Sequence, residues 1–407
     1  MENEEKQRII KWVHNVLKHK NFDKIYIEFP DYNTGGGYAA EMAFVDVTGD
    51  KEGSKDIISL IVKKSKVDLM TNSELNFIDL YKNEINLYSK ILPHFQKMLK
   101  EKQMEPFKNI PKCYGTVNED NRYIIILENL KNKNFKLHDI TKPFDLVHTR
   151  LVFEAYAYWH ALSFALEDQD PQKFKEFKEC NKGFTSPKFI DLSIATINKE
   201  MDSLIEIYKE KNNRSDIIEK LKILKESNRD LSIDIFSVKD EDYQVIRHGD
   251  CWNNNFLFHY KEEGTDPDEV MIIDWQVSYA ASPVLDLVCY LFYGCSREVL
   301  DHLDSLLNFY YNTLSKRLIK LGSNPNKCFP KEILIEKFKK YLPFGCAGST
   351  LMAKMGYKTN NEYKLDPEEL MKEGDFNKMF EVEIPNWDEY FNRIDGVLSF
   401  CSEHGYI

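Results

Sequence analysis

Residues 245–258 read VIRHGDCWNNNFLF. Apolar ends, Val245-Ile246 and Phe256-Leu257-Phe258, enclose a histidine, an aspartate and three consecutive asparagines. Asparagine favours neither strand nor helix interiors, and amides placed near a core require hydrogen-bond partners. The stretch predicts two short strands, 244–247 and 256–258, joined by a polar loop from His248 to Asn255. Asp250 and Asn255, five apart, can then converge on one small volume. A carboxylate there can accept a proton from a hydroxyl, and an amide oxygen can bind a hard cation.

Downstream, EVMIIDWQV (269–277) predicts another strand, with Asp274 following its apolar run. Upstream, IYIEFPDYNTGGGYAAEMAFVDV (25–47) predicts a hairpin tipped by Gly35, Gly36 and Gly37. Without Cβ atoms, that tip could bring backbone N–H groups close to a phosphate, although hairpin glycines are more often structural. The strand IISLIVKK (57–64) ends in two lysines, and side-chain alternation favours Lys63 over Lys64 as the one facing inward. NFIDLYKNEINLYSKILPHF (76–95) predicts a helix closed by Pro93. The neighbours of Glu84 at i±3, i±4 and i±7 are all apolar or aromatic. An ionised carboxylate on such a stripe needs a cation, and Lys63 is the natural one, the alternative being a solvated glutamate at the helix edge. RYIIILENL (122–130) predicts a buried strand.

From about residue 131 the chain turns helical. LVFEAYAYWHALSFAL (151–166) is apolar on most faces and predicts a central helix, while 185–235 is charged and amphipathic. The predicted layout is α+β: a β-rich portion over 1–130 and a larger, mainly helical portion over 131–407. No internal repeat or low-complexity linker interrupts it.

Bulk properties narrow the function. A net charge of −11 disfavours nucleic acid as a partner, since duplex binding relies on clustered Lys and Arg. No apolar run is long enough to span a bilayer, and the acidic start MENEEKQRII lacks the features of a signal peptide. Eight scattered cysteines with no CxxC pair suggest reduced thiols rather than a disulfide framework or a zinc site. A cytoplasmic protein without a membrane or nucleic-acid partner is expected. A phosphate cradle, a phosphate-binding cation, a base and two metal ligands are together what phosphoryl transfer needs, because the protein's work there is positioning and charge neutralisation.

The motifs HGDCWNNN (248–255) and IDWQ (273–276) resemble HGDxWxxN and IDxQ of the ecdysteroid-kinase-like family. That family lies in the choline kinase and aminoglycoside phosphotransferase branch of the protein-kinase-like superfamily. SPVLDL (282–287), NEINLYSKILP (83–93) and the closing EHGYI are also similar, so the resemblance covers nearly the whole chain. It implies a two-lobed protein-kinase-like fold and an ATP- and Mg²⁺-dependent transfer to an alcohol, an ecdysteroid or another lipophilic or xenobiotic hydroxyl compound. It further implies Asp250 as the base, Asn255 and Asp274 as Mg²⁺ ligands, and Lys63 with Glu84 at the α/β-phosphates. Glu128 to Leu130 would be the hinge against adenine, and Asp286 and His248 the supports of the catalytic loop. The glycine segment TGGGYAAE departs from the family's usual form. Trp252 is expected to pack in the core beneath the loop, and Asn253 and Asn254 to make hydrogen bonds within it. The segment YLPFGCAGSTLMAKMGY (341–357) suits either an apolar acceptor pocket or ordinary core. The alternative function is a catalytically silent kinase-like module that binds a ligand or a protein.

Overall fold

The computed structural model describes residues 3–30, 40–65, 77–119, 122–183, 186–211, 214–236, 241–262, 264–357, 382 and 384–407. Helix α1 (Asn3–Leu17) carries an apolar stripe of Ile9, Trp12, Val13 and Leu17. It covers one face of a five-stranded antiparallel sheet built from β1 (Lys24–Glu28), β2 (Ala40–Lys51), β3 (Ser54–Ser65), β4 (Cys113–Glu119) and β5 (Arg122–Glu128), in the order β1-β2-β3-β5-β4. Alternation along β2 and β3 sends Val45, Val47, Leu60 and Val62 into the core beneath α1. The same alternation leaves Met42, Phe44, Ile61 and Lys63 on the opposite face, half-buried. Lys51 and Ser54 pair across a two-residue turn in which Glu52 and Gly53 both take positive φ, the hairpin geometry that suits strand twist. Gly35, Gly36 and Gly37 lie outside the described residues.

Pro93 does not close the helix that follows. Helix α2 (Phe77–Asn86) passes through a π-helical turn (Leu87–Ile91) into α3 (Leu92–Glu101). Pro93 falls in the first turn of α3, where its missing N–H costs little because the widened turn has already re-phased the ladder. The inner face of this helix, from Leu87 to Leu99, belongs to the large core together with Ile125 and Leu127.

Helix α4 (Leu146–Gln169) runs through the middle of that core, buried on nearly every face. Around it lie α5 (Pro171–Cys180), α6 (Pro187–Lys211), α7 (Ser215–Phe236), α8 (Val284–Gly294), α9 (Arg297–Asp301), α10 (Leu303–Leu321), α11 (Pro325–Cys328), α12 (Lys331–Met355) and α13 (Trp387–Glu403). Two small sheets are set among them. β7 (Val245–Arg247) pairs with β10 (Tyr279–Ala281), while β6 (Phe135–Leu137), β8 (Phe256–Tyr260) and β9 (Pro267–Ile272) form a three-stranded sheet. The two strands flanking the polar loop therefore join different sheets, and β9 stops at Ile272, short of the 269–277 span expected. The 341–357 segment packs as core, with Phe344, Cys346, Ala347 and Leu351 all buried. The eight cysteines are free thiols. No helix among the described residues is long and apolar enough to cross a membrane.

Trp12 is 2% exposed and also donates its indole N–H to Glu119 at 2.7 Å. Trp12→Ala is predicted to cost about 3–5 kcal/mol, the range for deleting a buried large aromatic. Urea titration of the variant should show it, and an unchanged midpoint would remove α1 from the folding core.

Candidate active site

The loop between β7 and β8 is held from below by one carboxylate. Asp286, in the first turn of α8, has no exposed surface. Its Oδ1 accepts from Arg247 Nε at 2.8 Å and from the Gly249 N–H at 3.1 Å. Its Oδ2 accepts from the His248 N–H at 2.8 Å and from His160 Nε2 at 3.3 Å. Burial works against the ionised form, but Arg247 and His160 outweigh it and keep Asp286 well below the usual carboxylate range. Burial depresses both His160 and His248, which favours the neutral imidazole in each. His160 then donates from Nε2 to Asp286 and accepts at Nδ1 from Tyr310 Oη, 2.8 Å away. His248 donates from Nε2 to the Ile273 carbonyl at 2.9 Å, joining the loop to the end of β9.

Gly249 turns this loop at φ +91, and a Cβ there would lie 2.4 Å from the Val277 carbonyl oxygen. Only glycine satisfies both constraints. Beyond it, Asn255 Nδ2 donates to Asp250 Oδ2 at 2.8 Å and to the Asp250 carbonyl at 2.9 Å, leaving its own Oδ1 uncommitted by these bonds. Burial, followed by the charge of Asp274, pushes Asp250 up to about 7, and the Asn255 and Trp252 donors restrain it. Trp252 is half-exposed, not core, because its indole serves the Asp250 carboxylate at the loop surface. Asn253 is buried, and its Nδ2 has no partner among the described residues.

Asp274 occupies the left-handed region at φ +63. A non-glycine residue there costs about 1–3 kcal/mol and marks a site where the surroundings over-determine the backbone. Lys63 reaches it from the sheet: its Nζ lies 2.8 Å from Asp274 Oδ1 and 2.8 Å from Glu84 Oε2. Burial alone would depress Lys63, but Asp274 and Glu84 hold its ammonium well above the ordinary lysine value. Burial pushes Glu84 up, against the pull of Lys63 and of a hydrogen bond from the Trp275 backbone. The Glu84 side chain is 1% exposed and that of Asp274 37%, so only Asp274 is open to a ligand. Lys64 faces the other side of the strand and pairs with Glu5 and Glu41.

At the outer end of β5, Glu128 pairs with Lys133 at 2.6 Å and Leu130 is buried. The structure thus brings Lys63, Glu84, Asp250, Asn255 and Asp274 together, with His248 and Asp286 beneath them. Sequence reasoning passed over Arg247 and His160. Each carried a signal: a cation at the end of a buried strand and a histidine inside an all-apolar helix both need a buried partner.

Among the described residues, no cluster of three or more His, Cys, Asp or Glu could cage a metal. Asn255 Oδ1 and the partly exposed Asp274 carboxylate are hard oxygen donors, the kind of ligand that would suit Mg²⁺. The profile of the ecdysteroid kinase-like family matches residues 34–323. No curated protein matches the chain significantly. Among solved structures, the chain is similar to wild-type aminoglycoside 2'-phosphotransferase-IIIa in its GDP complex, at 12% identity and a TM-score of 0.41, covering 96% of this chain and 98% of that one. It is also similar to a protein assigned as a fructosamine-3-kinase from Haemophilus somnus 129PT, at 15% identity and a TM-score of 0.34, covering 89% and 96%.

Asp286→Asn would leave Arg247 as a buried, unpaired cation, and a loss of about 3–5 kcal/mol is predicted. The depressed pKa of Asp286 sets the sign with pH: its contribution is complete above the unfolded carboxylate value near 4 and is lost as the medium becomes more acidic. Wild-type stability should therefore fall more steeply than that of the variant below about pH 4. Parallel acid titrations of the two unfolding curves would contradict the assignment.

Proposed function

The chain belongs to the ecdysteroid kinase-like family, and on that footing we propose that it transfers the γ-phosphate of ATP to the hydroxyl of a small-molecule alcohol. One observation carries the reading: a single buried ammonium, Lys63, spans Glu84 on one side and Asp274 on the other, beside Asp250 and Asn255. Lys63 neutralises phosphate charge while Glu84 fixes its position. Asn255 and Asp274 would hold Mg²⁺, which when bound supplies charge neutralisation at the phosphates. Asp250, oriented by Asn255 and Trp252, accepts the acceptor proton as the hydroxyl oxygen bonds to phosphorus. A carboxyl with a pKa of about 7 is well matched to that task near neutral pH. In this reading residues 1–130, with the glycine segment at 35–37 and the 128–130 link, serve the nucleotide. Residues 131–407 serve the metal and the acceptor, in a cytoplasmic protein with reduced thiols.

The family description and the half-exposed indole beside Asp250 favour a lipophilic acceptor, an ecdysteroid or a xenobiotic alcohol. A detoxifying role would follow from the second. Incubation with labelled ATP and a panel of ecdysteroids and plant phenols, read by mass spectrometry, tests this directly. Absence of any phosphorylated product would leave a catalytically silent kinase-like binding module as the reading.

Asp250→Asn is predicted to lower turnover by roughly 10²- to 10⁴-fold, the span of a general-base contribution, with nucleotide binding retained. Asp274→Ala is predicted to abolish the metal-dependent part of nucleotide stabilisation. For the wild type, that stabilisation should reach about 2.7 kcal/mol at a hundredfold excess over Kd. Thermal unfolding with ATP, with and without Mg²⁺, measures it. Equal shifts for wild type and Asp274→Ala would refute the ligand assignment.

A further inference from the structure

Glu84 is held by Lys63, but its neighbour Asn83 makes a different set of contacts. Asn83 is 1% exposed. Its Nδ2 donates to the Lys182 carbonyl at 2.7 Å and to the Gln276 carbonyl at 3.2 Å. Its Oδ1 accepts from the Lys182 N–H at 3.1 Å. The carbonyl of Asn83 accepts from Asn181 Nδ2 at 3.5 Å, and the same amide donates to the Ser278 carbonyl at 3.3 Å. Asn181 is itself 2% exposed. With Glu84 and Asp274 sharing the Lys63 ammonium and Asn83 bonded to Gln276, two consecutive residues of α2 are tied to the segment from Asp274 to Gln276.

Asparagine is a mediocre helix former because its side chain competes for local backbone groups. Here the amide bonds run to other segments: the residues after α5 and the Asp274 loop. A buried amide with both ends satisfied across three segments restricts how those segments move relative to one another. Asn86 makes a fourth tie, to the Cys180 carbonyl at 2.8 Å, but does not reach the loop.

We propose that Asn83 is a positioning residue: by clasping Gln276 and Lys182 it fixes Glu84 and Asp274 at the separation one ammonium can span, so that Lys63 is preset before any nucleotide arrives. The inference rests on the phosphotransfer reading and extends it to regulation. In protein kinases the equivalent ion pair is assembled by helix movement, whereas here the helix is already tied to the loop it must meet.

The test compares Asn83→Ser and Asn83→Asp with Asn86→Ala. Serine is too short to bridge the carbonyls, and aspartate turns the donor into an acceptor facing two carbonyl oxygens. Hydrogen exchange of the 274–278 amides should quicken in both Asn83 variants and stay at the wild-type rate in Asn86→Ala. The KM for Mg·ATP should rise about tenfold or more, the change expected when a buried hydrogen bond is lost, with the acceptor KM unchanged. Asn181→Ser leaves the Asn83 side chain in place but removes the parallel tie from the Asn83 carbonyl to Ser278, and if the Asn83 variants do not fold it should quicken the same 274–278 amides. Wild-type exchange at 274–278 together with a wild-type nucleotide KM overturns the proposal. A wild-type protein that binds no nucleotide defeats the phosphotransfer reading instead, and the exchange rates still decide whether Asn83 holds the loop.

Discussion

A carboxylate with no exposed surface, Asp286, sets the backbone on which the rest of the site is built. Taking a charge out of water costs several kcal/mol unless it is paired and hydrogen-bonded, and Asp286 meets that cost with the Arg247 guanidinium and two consecutive backbone N–H groups. Those N–H groups belong to His248 and Gly249, the two residues before Asp250. The Asp250 side chain is therefore aimed by a hydrogen-bonded main chain rather than by its own rotamer alone. His160 completes the arrangement from α4, so the loop, the central helix and α8 share one buried polar centre.

Lys63 plays the corresponding part between the sheet and the helical portion. It meets Asp274 across 211 positions of sequence. An ammonium held between two carboxylates in a poorly solvated setting is costly to separate from either one. The ion pair and the Asn83 clasp work on the same helix, one through charge and one through directional hydrogen bonds. Their division of labour explains why a helix that packs by apolar contacts along Leu87 to Leu99 carries two adjacent buried polar residues one turn earlier.

Much of this was legible in the sequence because it follows short-range rules. Period-2 alternation marked β2 and β3, the apolar length of 151–166 marked α4, and the isolated charge on an apolar stripe marked Glu84. Asp250, Asn255 and Asp274 stood out because their polarity interrupts runs that otherwise read as buried. What escaped were features set by distant partners. Arg247 and His160 acquire their meaning from Asp286, 39 and 126 positions away. The exposure of Trp252 depends on a contact with Asp250 that ring chemistry alone does not announce. The helix beyond Pro93 was lost for a similar reason, since a proline normally stops a helix and nothing local signals the wider turn before it.

That wider turn has a consequence of its own. Each helical residue advances the direction of its side chain by about 100°, so the extra residue held in Leu87–Ile91 acts as an angular offset between two faces of one rod. The first half points its acid at Lys63 and its amide at the Lys182 and Gln276 backbone; the second half points Phe95 at the Trp159 indole, ring centres 5.0 Å apart. A chain shortened by one residue in this turn could satisfy either face but not both. The helix would have to choose between seating its aromatic end and presenting Glu84 to Lys63.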